Sequence, residues 1–190
     1  MTSPSPVPNR SCGTCTVCCK VLTIDDPDFQ KAAGILCPNC KEAKGCQIYA
    51  MRPKPCRGFE CCWKTMPELG DDLRPDRSGI LIRYIQDHNI PPGLAPVGLS
   101  FLVHDDNPNV IGPGFAGFLG RYVAQNVAVF LSRRGPPGYY EGAVLLNSHL
   151  APILNDSAKM TSVLRDIFDQ LANTDFQPYI FKYSKRTLNA

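Results

Sequence analysis

Ten cysteines are concentrated in one stretch of this 190-residue chain, and their thiols can bind metal, form disulfides or exchange electrons. All ten fall between residues 12 and 62, and the remainder of the chain contains none. This concentration indicates a local purpose for the sulfur. Cysteine thiolates are the preferred protein ligands of zinc and of iron-sulfur clusters. The cysteines are Cys12, Cys15, Cys18, Cys19, Cys37, Cys40, Cys46, Cys56, Cys61 and Cys62.

Two pairs of cysteines have the spacing of a metal-binding turn. Cys12 and Cys15 form one C-x2-C pair, and Cys37 and Cys40 form another. Two intervening residues in a tight turn allow both sulfurs to reach one ion at about 2.3 Å. Cys18 extends the first pair to C-x2-C-x2-C, which is the opening of a bacterial ferredoxin ligand run. The spacing therefore predicts metal ligation by cysteine.

Two further pairs of cysteines are adjacent in sequence, Cys18 with Cys19 and Cys61 with Cys62. Neighbouring side chains in extended backbone point apart. Each adjacent pair is therefore better suited to two metals, or to one metal and one structural role, than to a single tetrahedral ion.

Disulfides and a redox-active pair are the alternative uses of these thiols. Residues 1–8 have neither a cationic start nor an apolar run, so no secretory signal is predicted and we expect a cytoplasmic protein with reduced thiols. A redox pair of the thioredoxin type lies at a strand-to-helix turn of a βαβ unit, and neither C-x2-C pair has such flanks. Metal binding is the favoured interpretation.

One sequence pattern joins the cysteines to residues between them. It reads Cys12-x2-Cys15-x2-Cys18-Cys19, then Cys37-x2-Cys40, then Gly45-Cys46-x2-Tyr49-x2-Arg52-Pro53-x2-Cys56-Arg57-x-Phe59-x-Cys61-x-Trp63. This pattern resembles the CxxCxxCC zinc- or iron-chelating domain family of bacteria, and the resemblance covers about residues 12 to 79. Cys62 is an extra thiol that the pattern lacks.

The resemblance implies a small cytoplasmic metal protein. Zinc is the expected cofactor. A similar cysteine cluster in flagellin lysine methylases implies an iron-sulfur cluster as the alternative. The implied metal ligands are Cys12, Cys15, Cys18, Cys19, Cys37, Cys40, Cys46, Cys56 and Cys61.

Composition and charge exclude several classes of protein. No run approaches the roughly 18 apolar residues of a membrane span. The formal charge of +3 would lose eight for eight thiolates and gain four for two zinc ions, which leaves about −1. Nucleic acid is therefore not an expected partner. Five basic residues near the cysteines are expected to compensate thiolate charge, namely Lys20, Arg52, Lys54, Arg57 and Lys64.

The chain is predicted to have an α+β fold in which a loop-rich cysteine segment packs with a ββαββα half. Residues 1–11 are predicted to be a disordered tail and residues 12–66 the metal-binding segment. Residues 67–78 form a connection, residues 79–176 the α+β half, and residues 177–190 a C-terminal tail.

Sequence periodicity predicts the elements of the α+β half. Four apolar runs are expected to form an antiparallel sheet of two hairpins, and two amphipathic segments are expected to be helices, the second with Asp156 or Ser157 as its N-cap. A short helix is predicted to begin at Asp26-Pro27 and end at Gly34. The predicted strands are 79–85, 96–103, 127–131 and 142–146, and the predicted helices run from 113 to about 123 and from about 157 to 171.

Other candidate chemistry is weaker. His88, His104 and His149 are scattered, and His104 with the two aspartates after it is better explained as a solvated loop than as a catalytic base. Arg133-Arg134 with Tyr139-Tyr140 is interpreted as a solvated hairpin tip, with contact to a polar partner or to nucleic acid as the alternative.

Two functions are consistent with these features. The favoured one is non-catalytic chelation of zinc or iron, with a protein partner for the α+β half. The alternative is an iron-sulfur protein that transfers electrons or supports modification of another protein. No catalytic constellation is recognisable in residues 79–190, so the sequence does not favour an enzyme.

Overall fold

The structure, a computed structural model, describes residues 5–86, 90–104 and 110–183. Its fold class is α+β, which confirms the prediction. A segment of very short elements carries the cysteines, and a four-stranded sheet with longer helices forms the rest.

The cysteine-rich segment contains two small antiparallel hairpins and several single-turn helices. Its elements are helix α1 (Val17–Val21), strands β1 (Ile24–Asp26), β2 (Phe29–Lys31), β3 (Cys40–Lys41) and β4 (Gly45–Cys46), a 3-10 turn (Tyr49–Met51), and helices α2 (Lys54–Gly58) and α3 (Cys62–Thr65).

The rest of the described chain follows the predicted ββαββα order, with short helices added. The connection contains a 3-10 turn (Asp71–Leu73) and helix α4 (Pro75–Ser78). The remaining elements are β5 (Ile80–Ile85), β6 (Gly98–Val103), α5 (Pro113–Ala124), β7 (Val129–Arg133), β8 (Gly142–Leu145), α6 (Asn147–Leu150), a 3-10 turn (Ala151–Ile153) and α7 (Ser157–Ala172).

The large sheet is mixed, so the prediction of a fully antiparallel sheet is wrong. Its strand order is β5-β6-β7-β8. The β5-β6 and β7-β8 pairs are antiparallel as predicted, but β6 and β7 run parallel. Helix α5 lies between β6 and β7 in the chain. A helical crossover carries the chain from the end of β6 back to the edge of the sheet at which β6 began, so β7 runs in the same direction as β6.

One face of the sheet packs against α5 and α7. Phe101 is fully buried at the centre of this face, and its ring lies 5.8 Å from the ring of Phe115 and 5.9 Å from that of Phe118, both in edge-on orientation. Helix α7 is preceded by Asp156, whose side chain accepts a hydrogen bond of 2.9 Å from the backbone N–H of Lys159. This confirms Asp156 as the N-cap.

The cysteine-rich segment is joined to the sheet in two places. Val17 and Val21 of α1 pack on Leu81 and Leu102, which lie on the face of the sheet away from α5 and α7. A second group from the segment and the connection lies in the main core on the helix-covered face. That group is Cys62, Trp63, Met66 and Leu69.

The helix predicted from Asp26 to Gly34 is a β-hairpin instead. Strand β1 pairs with β2, with Asp26 opposite Phe29. The side chain of Asp26 accepts a hydrogen bond of 3.1 Å from the backbone N–H of Asp28, which closes the turn. An aspartate before Pro27 can cap either a helix or a turn, and so short a segment cannot nucleate a helix unless packing stabilises it.

Both predicted tails make contacts where the structure describes them. The Arg10 guanidinium donates to the carbonyls of Trp63, Met66 and Leu69, so the N-terminal segment is anchored at this residue. Residues 1–4 of the predicted disordered tail lie outside the described residues. In the C-terminal segment Pro178 forms a bridge with Tyr139. Residues 184–190 lie outside the described residues.

None of the helices in the described parts of the chain is both long and apolar enough to cross a membrane.

Candidate metal centre

Eight of the ten cysteines line a single cavity of about 230 Å³. The first and last of these cysteines in sequence are 49 positions apart. The fold therefore brings together thiols that are distant from one another along the chain. Cys40 does not line the cavity but is hydrogen-bonded to Cys19, and Cys62 lies in the main core. The lining cysteines are Cys12, Cys15, Cys18, Cys19, Cys37, Cys46, Cys56 and Cys61.

The first C-x2-C pair lies on a tight turn, as its spacing predicts. The backbone N–H of Cys15 donates to the Cys12 carbonyl at 2.9 Å, and Gly13 adopts a φ of +52°. Gly45 packs so closely on the Gly13 carbonyl that a β-carbon at position 45 would clash with it. The β3-β4 hairpin therefore approaches the first turn because residue 45 is glycine.

The second C-x2-C pair has the same turn. The N–H of Cys40 donates to the Cys37 carbonyl at 2.9 Å, and Cys46 lies opposite Cys40 in the β3-β4 ladder. The N–H of Cys37 donates to the Cys19 carbonyl at 3.1 Å, which joins this turn to α1. Four cysteines from three parts of the chain are thus held together by backbone hydrogen bonds.

The nine predicted ligands divide into two neighbouring groups. Group A is defined by a narrow crevice beside Trp63 and Arg74, and its cysteines are Cys12, Cys15, Cys18 and Cys61. Group B is defined by mutual proximity around the second turn, and its cysteines are Cys19, Cys37, Cys40, Cys46 and Cys56.

The adjacent cysteines Cys18 and Cys19 belong to different groups. Both lie in helix α1, where consecutive side chains point about 100° apart. One helix turn therefore presents one thiol to each group, which is the arrangement that two metals, or one extended cluster, would need.

The thiols are not arranged as a closed coordination shell. Within residues 5–86, 90–104 and 110–183, no group of three or more cysteine, histidine, aspartate or glutamate side chains is placed to hold a metal ion. Metal binding at groups A and B therefore requires the sulfurs to move towards one another.

Hydrogen bonds between neighbouring thiols shift the pKa values of Cys18, Cys19 and Cys40 in different directions. A hydrogen bond from Cys18 lowers the pKa of Cys19 to about 6, burial acts in the opposite direction, and a second hydrogen bond from Cys40 lowers the value further. The same bond raises the pKa of Cys18 well above its usual range, and burial adds to that effect. Burial and the bond to Cys19 likewise raise the pKa of Cys40. Of these three thiols, Cys19 is therefore the one that loses its proton most readily.

We expect Cys19 to be the thiol that reacts fastest with iodoacetamide in metal-free protein at pH 7.5. Its pKa of about 6 makes it mostly thiolate at that pH, and it is partly exposed. Cys61 is the matched control, since burial raises its pKa to about 11. Timed alkylation followed by peptide mass mapping measures both rates. Modification of Cys61 ahead of Cys19 would contradict the conclusion that Cys19 is the more acidic of the two thiols.

The adjacent pair Cys61 and Cys62 is divided between the site and the core. Cys61 lines the cavity, whereas Cys62 is fully buried in the main core beside Trp63 and Met66. Burial, followed by the nearby Cys61, raises the pKa of Cys62. The structure gives Cys62 a packing role as a small apolar side chain.

The Tyr49 hydroxyl links group A to a charged network. The Cys12 thiol lies 3.7 Å from this hydroxyl, which also accepts a hydrogen bond of 3.0 Å from Lys64 Nζ. Lys64 Nζ contacts Glu60 at 2.6 Å, and the Arg52 guanidinium lies 3.9 Å above the Tyr49 ring. Burial alone would lower the pKa of Lys64, but its hydrogen bonds outweigh burial and the pKa is raised. A thiolate at Cys12 would accept a hydrogen bond from a hydroxyl polarised by lysine.

Lys31 is a buried cation that the sequence did not identify. It is 5% exposed, and burial lowers its pKa while the thiolates of Cys37 and Cys19 act in the opposite direction. Lys31 is the last residue of a short hairpin, and nothing in the local sequence marks it as buried. Its burial depends on the loop that folds over it. Its Nζ donates to the carbonyls of Lys20, Ala32 and Ile35.

The other predicted residues are only partly at the site. Of the five basic residues expected to compensate thiolate charge, Arg52 and Lys64 line the cavity. No histidine of the described residues lines it: the ring of His104 contacts the Pro75 carbonyl at 3.0 Å, and His149 lies on α6. His88 and the two aspartates that follow His104 lie outside the described residues.

Comparison with known proteins found no match among family models, curated proteins or solved structures. The resemblance to the CxxCxxCC family stays a prediction that rests on the sequence pattern.

Proposed function

We propose that this protein binds metal through its cysteines and that the bound metal is structural, with zinc as the metal. The observation that carries this proposal is the convergence of eight thiols on one cavity. A cytoplasmic protein keeps such thiols reduced, so metal ligation is the chemistry available to them.

The charges around the cavity support the proposal. Several thiolates in one place repel one another, and burial raises the pKa of Cys15, Cys56 and Cys61 in the protein without metal. A divalent cation removes this cost because the coordinating thiols lose their protons. Lys31 and Lys64 are nearly buried beside the thiols and supply further positive charge.

The two groups of cysteines define the proposed ligands. Group A has four thiols, which is the number that a structural zinc site takes. Group B has five thiols, one more than a zinc ion takes, so the fifth either does not bind the metal or bridges two metals. Bound zinc would cross-link α1, the two C-x2-C turns and the chain around Cys56 and Cys61, elements that are too short to be stable alone.

An iron-sulfur centre is the second candidate. It is favoured by the single cavity, since eight cysteines that line one cavity suit a polynuclear cluster as well as two separate ions. Its function would be electron transfer or support for modification of another protein, with the α+β half contacting that partner.

Anaerobic purification separates the two candidates. Zinc protein has no absorption above 350 nm from the metal, whereas an iron-sulfur protein is brown. We expect colourless protein that contains zinc. Brown protein with iron and acid-labile sulfide in equal amounts would replace the zinc proposal with the second candidate.

We expect Tyr49→Phe to weaken zinc binding about tenfold, because it removes the hydroxyl beside Cys12 and leaves the ring under Arg52. Competition with a chromophoric chelator measures the affinity. Tyr139→Phe is the matched control, since Tyr139 is also partly exposed but does not line the cysteine cavity. Equal affinities in Tyr49→Phe and wild type would show that the hydroxyl does not act on the thiolates.

A further inference from the structure

A second cavity, which we call the sheet cleft, opens beside the cysteine cavity and has a volume of about 690 Å³. It lies on the face of the sheet away from α5 and α7, next to the patch covered by Val17 and Val21. Leu22, Thr23 and Phe59 line both cavities. Pockets for small-molecule ligands have volumes of about 300–1,000 Å³. The sheet cleft is in this range.

The floor of the sheet cleft contains a cluster of polar side chains among the apolar ones, on a central part of the sheet. Arg83 lies opposite Ser100 on β5 and β6, and both its Nε and its Nη2 are 3.4 Å from the Ser100 hydroxyl. Ser100 Oγ lies 3.1 Å from Ser132 Oγ, and both serines are fully buried. A row of buried hydroxyls therefore holds the arginine in one orientation, with its guanidinium at the cleft.

The charge of the cleft is positive. Arg83 and Arg134 line it, and Glu141 is the one carboxylate among its described lining residues. Glu141 forms an ion pair with Nη2 of Arg83. The Arg83 side chain is 22% exposed, and its partial burial lowers its pKa. Poorly hydrated guanidinium groups bind carboxylate and phosphate strongly, because little water must be displaced.

One wall of the sheet cleft is aromatic. Tyr139, Tyr140 and Tyr179 line it, and the rings of Tyr140 and Tyr179 lie 4.8 Å apart. The Tyr179 hydroxyl donates to the Asp25 carboxylate at 3.2 Å, which ties this wall to strand β1. Tyrosine rings fixed in this way provide flat surfaces for a planar group of a ligand.

We propose that the sheet cleft binds a small ligand in which a carboxylate or phosphate is attached to a planar group. The oxyanion contacts the guanidinium of Arg83 and is close to Arg134, and the planar group lies against the tyrosines. Glu141 occupies the oxyanion position on Arg83 when no ligand is bound, so ligand and Glu141 compete for the same guanidinium. This site does not depend on which metal the cysteines bind.

Isothermal titration of the full chain, as purified with its metal, tests the inference with phenyl phosphate, benzoate and neutral benzamide as probes. We expect saturable binding of at least one anionic probe and none of benzamide. The anion that binds identifies the class of oxyanion. Glu141→Gln keeps the side chain's shape and removes the competing charge, so it should tighten anion binding about tenfold. Arg83→Lys should weaken anion binding by a similar factor, because lysine lacks the planar guanidinium that donates two parallel hydrogen bonds to an oxyanion.

Arg77→Gln is the control, because Arg77 is exposed on α4 and lies outside the cleft. If Arg83→Lys fails to fold, Glu141→Gln and Arg134→Gln still test the site. Absence of binding by both anions in wild type and Glu141→Gln would overturn the inference, as would equal binding of benzamide. Elemental analysis of the same samples keeps this result separate from the metal proposal, which fails only if the metal is missing.

Discussion

Chelation of the metal is expected to unfold the cysteine-rich segment from about residue 12 to residue 58 while the four-stranded sheet and its helices stay folded. The strands of this segment have two or three residues and its helices at most five. Elements of this length are unstable without tertiary contacts, and metal ligation supplies such contacts in small metal sites, with apparent binding free energies of about 10 kcal/mol or more. Residues 80–172 contain a sheet and two full helices with their own buried core.

Limited tryptic digestion reports this change at one peptide bond. Lys31 is buried in the folded segment, so cleavage after it requires local unfolding. We expect rapid cleavage after Lys31 in chelated protein and slow cleavage in native protein. Arg165 in α7 is the internal control and should stay uncut in both. Unchanged resistance at Lys31, or early cleavage within α7, would show that metal is not what holds the segment.

The structure also limits how far this unfolding should extend. Cys62, Trp63, Met66 and Leu69 belong to the main core, so the chain from residue 62 onward is expected to stay with the sheet. The carbonyls that bind Arg10 lie in this same stretch.

Replacement of Cys61 by serine is expected to remove about one metal per chain, whereas replacement of Cys62 should leave the metal content unchanged. Cys61 lines the cavity with Cys12, Cys15 and Cys18, and serine oxygen is a poor substitute for thiolate. Cys62 is fully buried in the core and does not line the cavity. Cys62→Ser should instead lower the free energy of unfolding by about 1–2 kcal/mol, because it buries a hydroxyl.

The matched comparison is a set of single variants purified identically and analysed for metal and for denaturant stability. Cys56→Ser tests group B in the same way that Cys61→Ser tests group A. Cys62→Ala separates the effect of the hydroxyl from that of the lost volume. If Cys62→Ser lost as much metal as Cys61→Ser, the adjacent pair would act jointly, and a bridged cluster would replace separate sites.

The sequence predicted those parts of the fold that depend on local pattern. The strands β5 to β8 were identified because each is a continuous apolar or β-branched run bounded by turn residues, and α7 was identified because its apolar residues repeat with the period of a helix. The parallel pairing of β6 and β7 was not predicted, since it depends on the path of the chain through α5. The hairpin at Asp26 was missed because the same residues favour a helix cap and a turn.

For the candidate site, the sequence predicted the cysteines proposed as ligands and the two turns that carry four of them. The two C-x2-C turns follow from spacing, and their backbone hydrogen bonds confirm the turns. The burial of Lys31, the contact between Gly45 and Gly13, and the split of Cys61 from Cys62 follow from packing between segments that are distant in sequence. The sheet cleft combines residues near positions 22, 83, 134 and 179, so no local pattern could reveal it.

The most direct test of the account is the metal content of native protein purified without added metal, combined with X-ray absorption at the edge of the metal found. We predict at least one zinc or iron per chain, approaching two, with a first shell of sulfur only at about 2.3 Å. Less than one zinc plus iron per chain, or a shell made mainly of nitrogen and oxygen, would contradict the claim that these cysteines are the ligands of a metal centre.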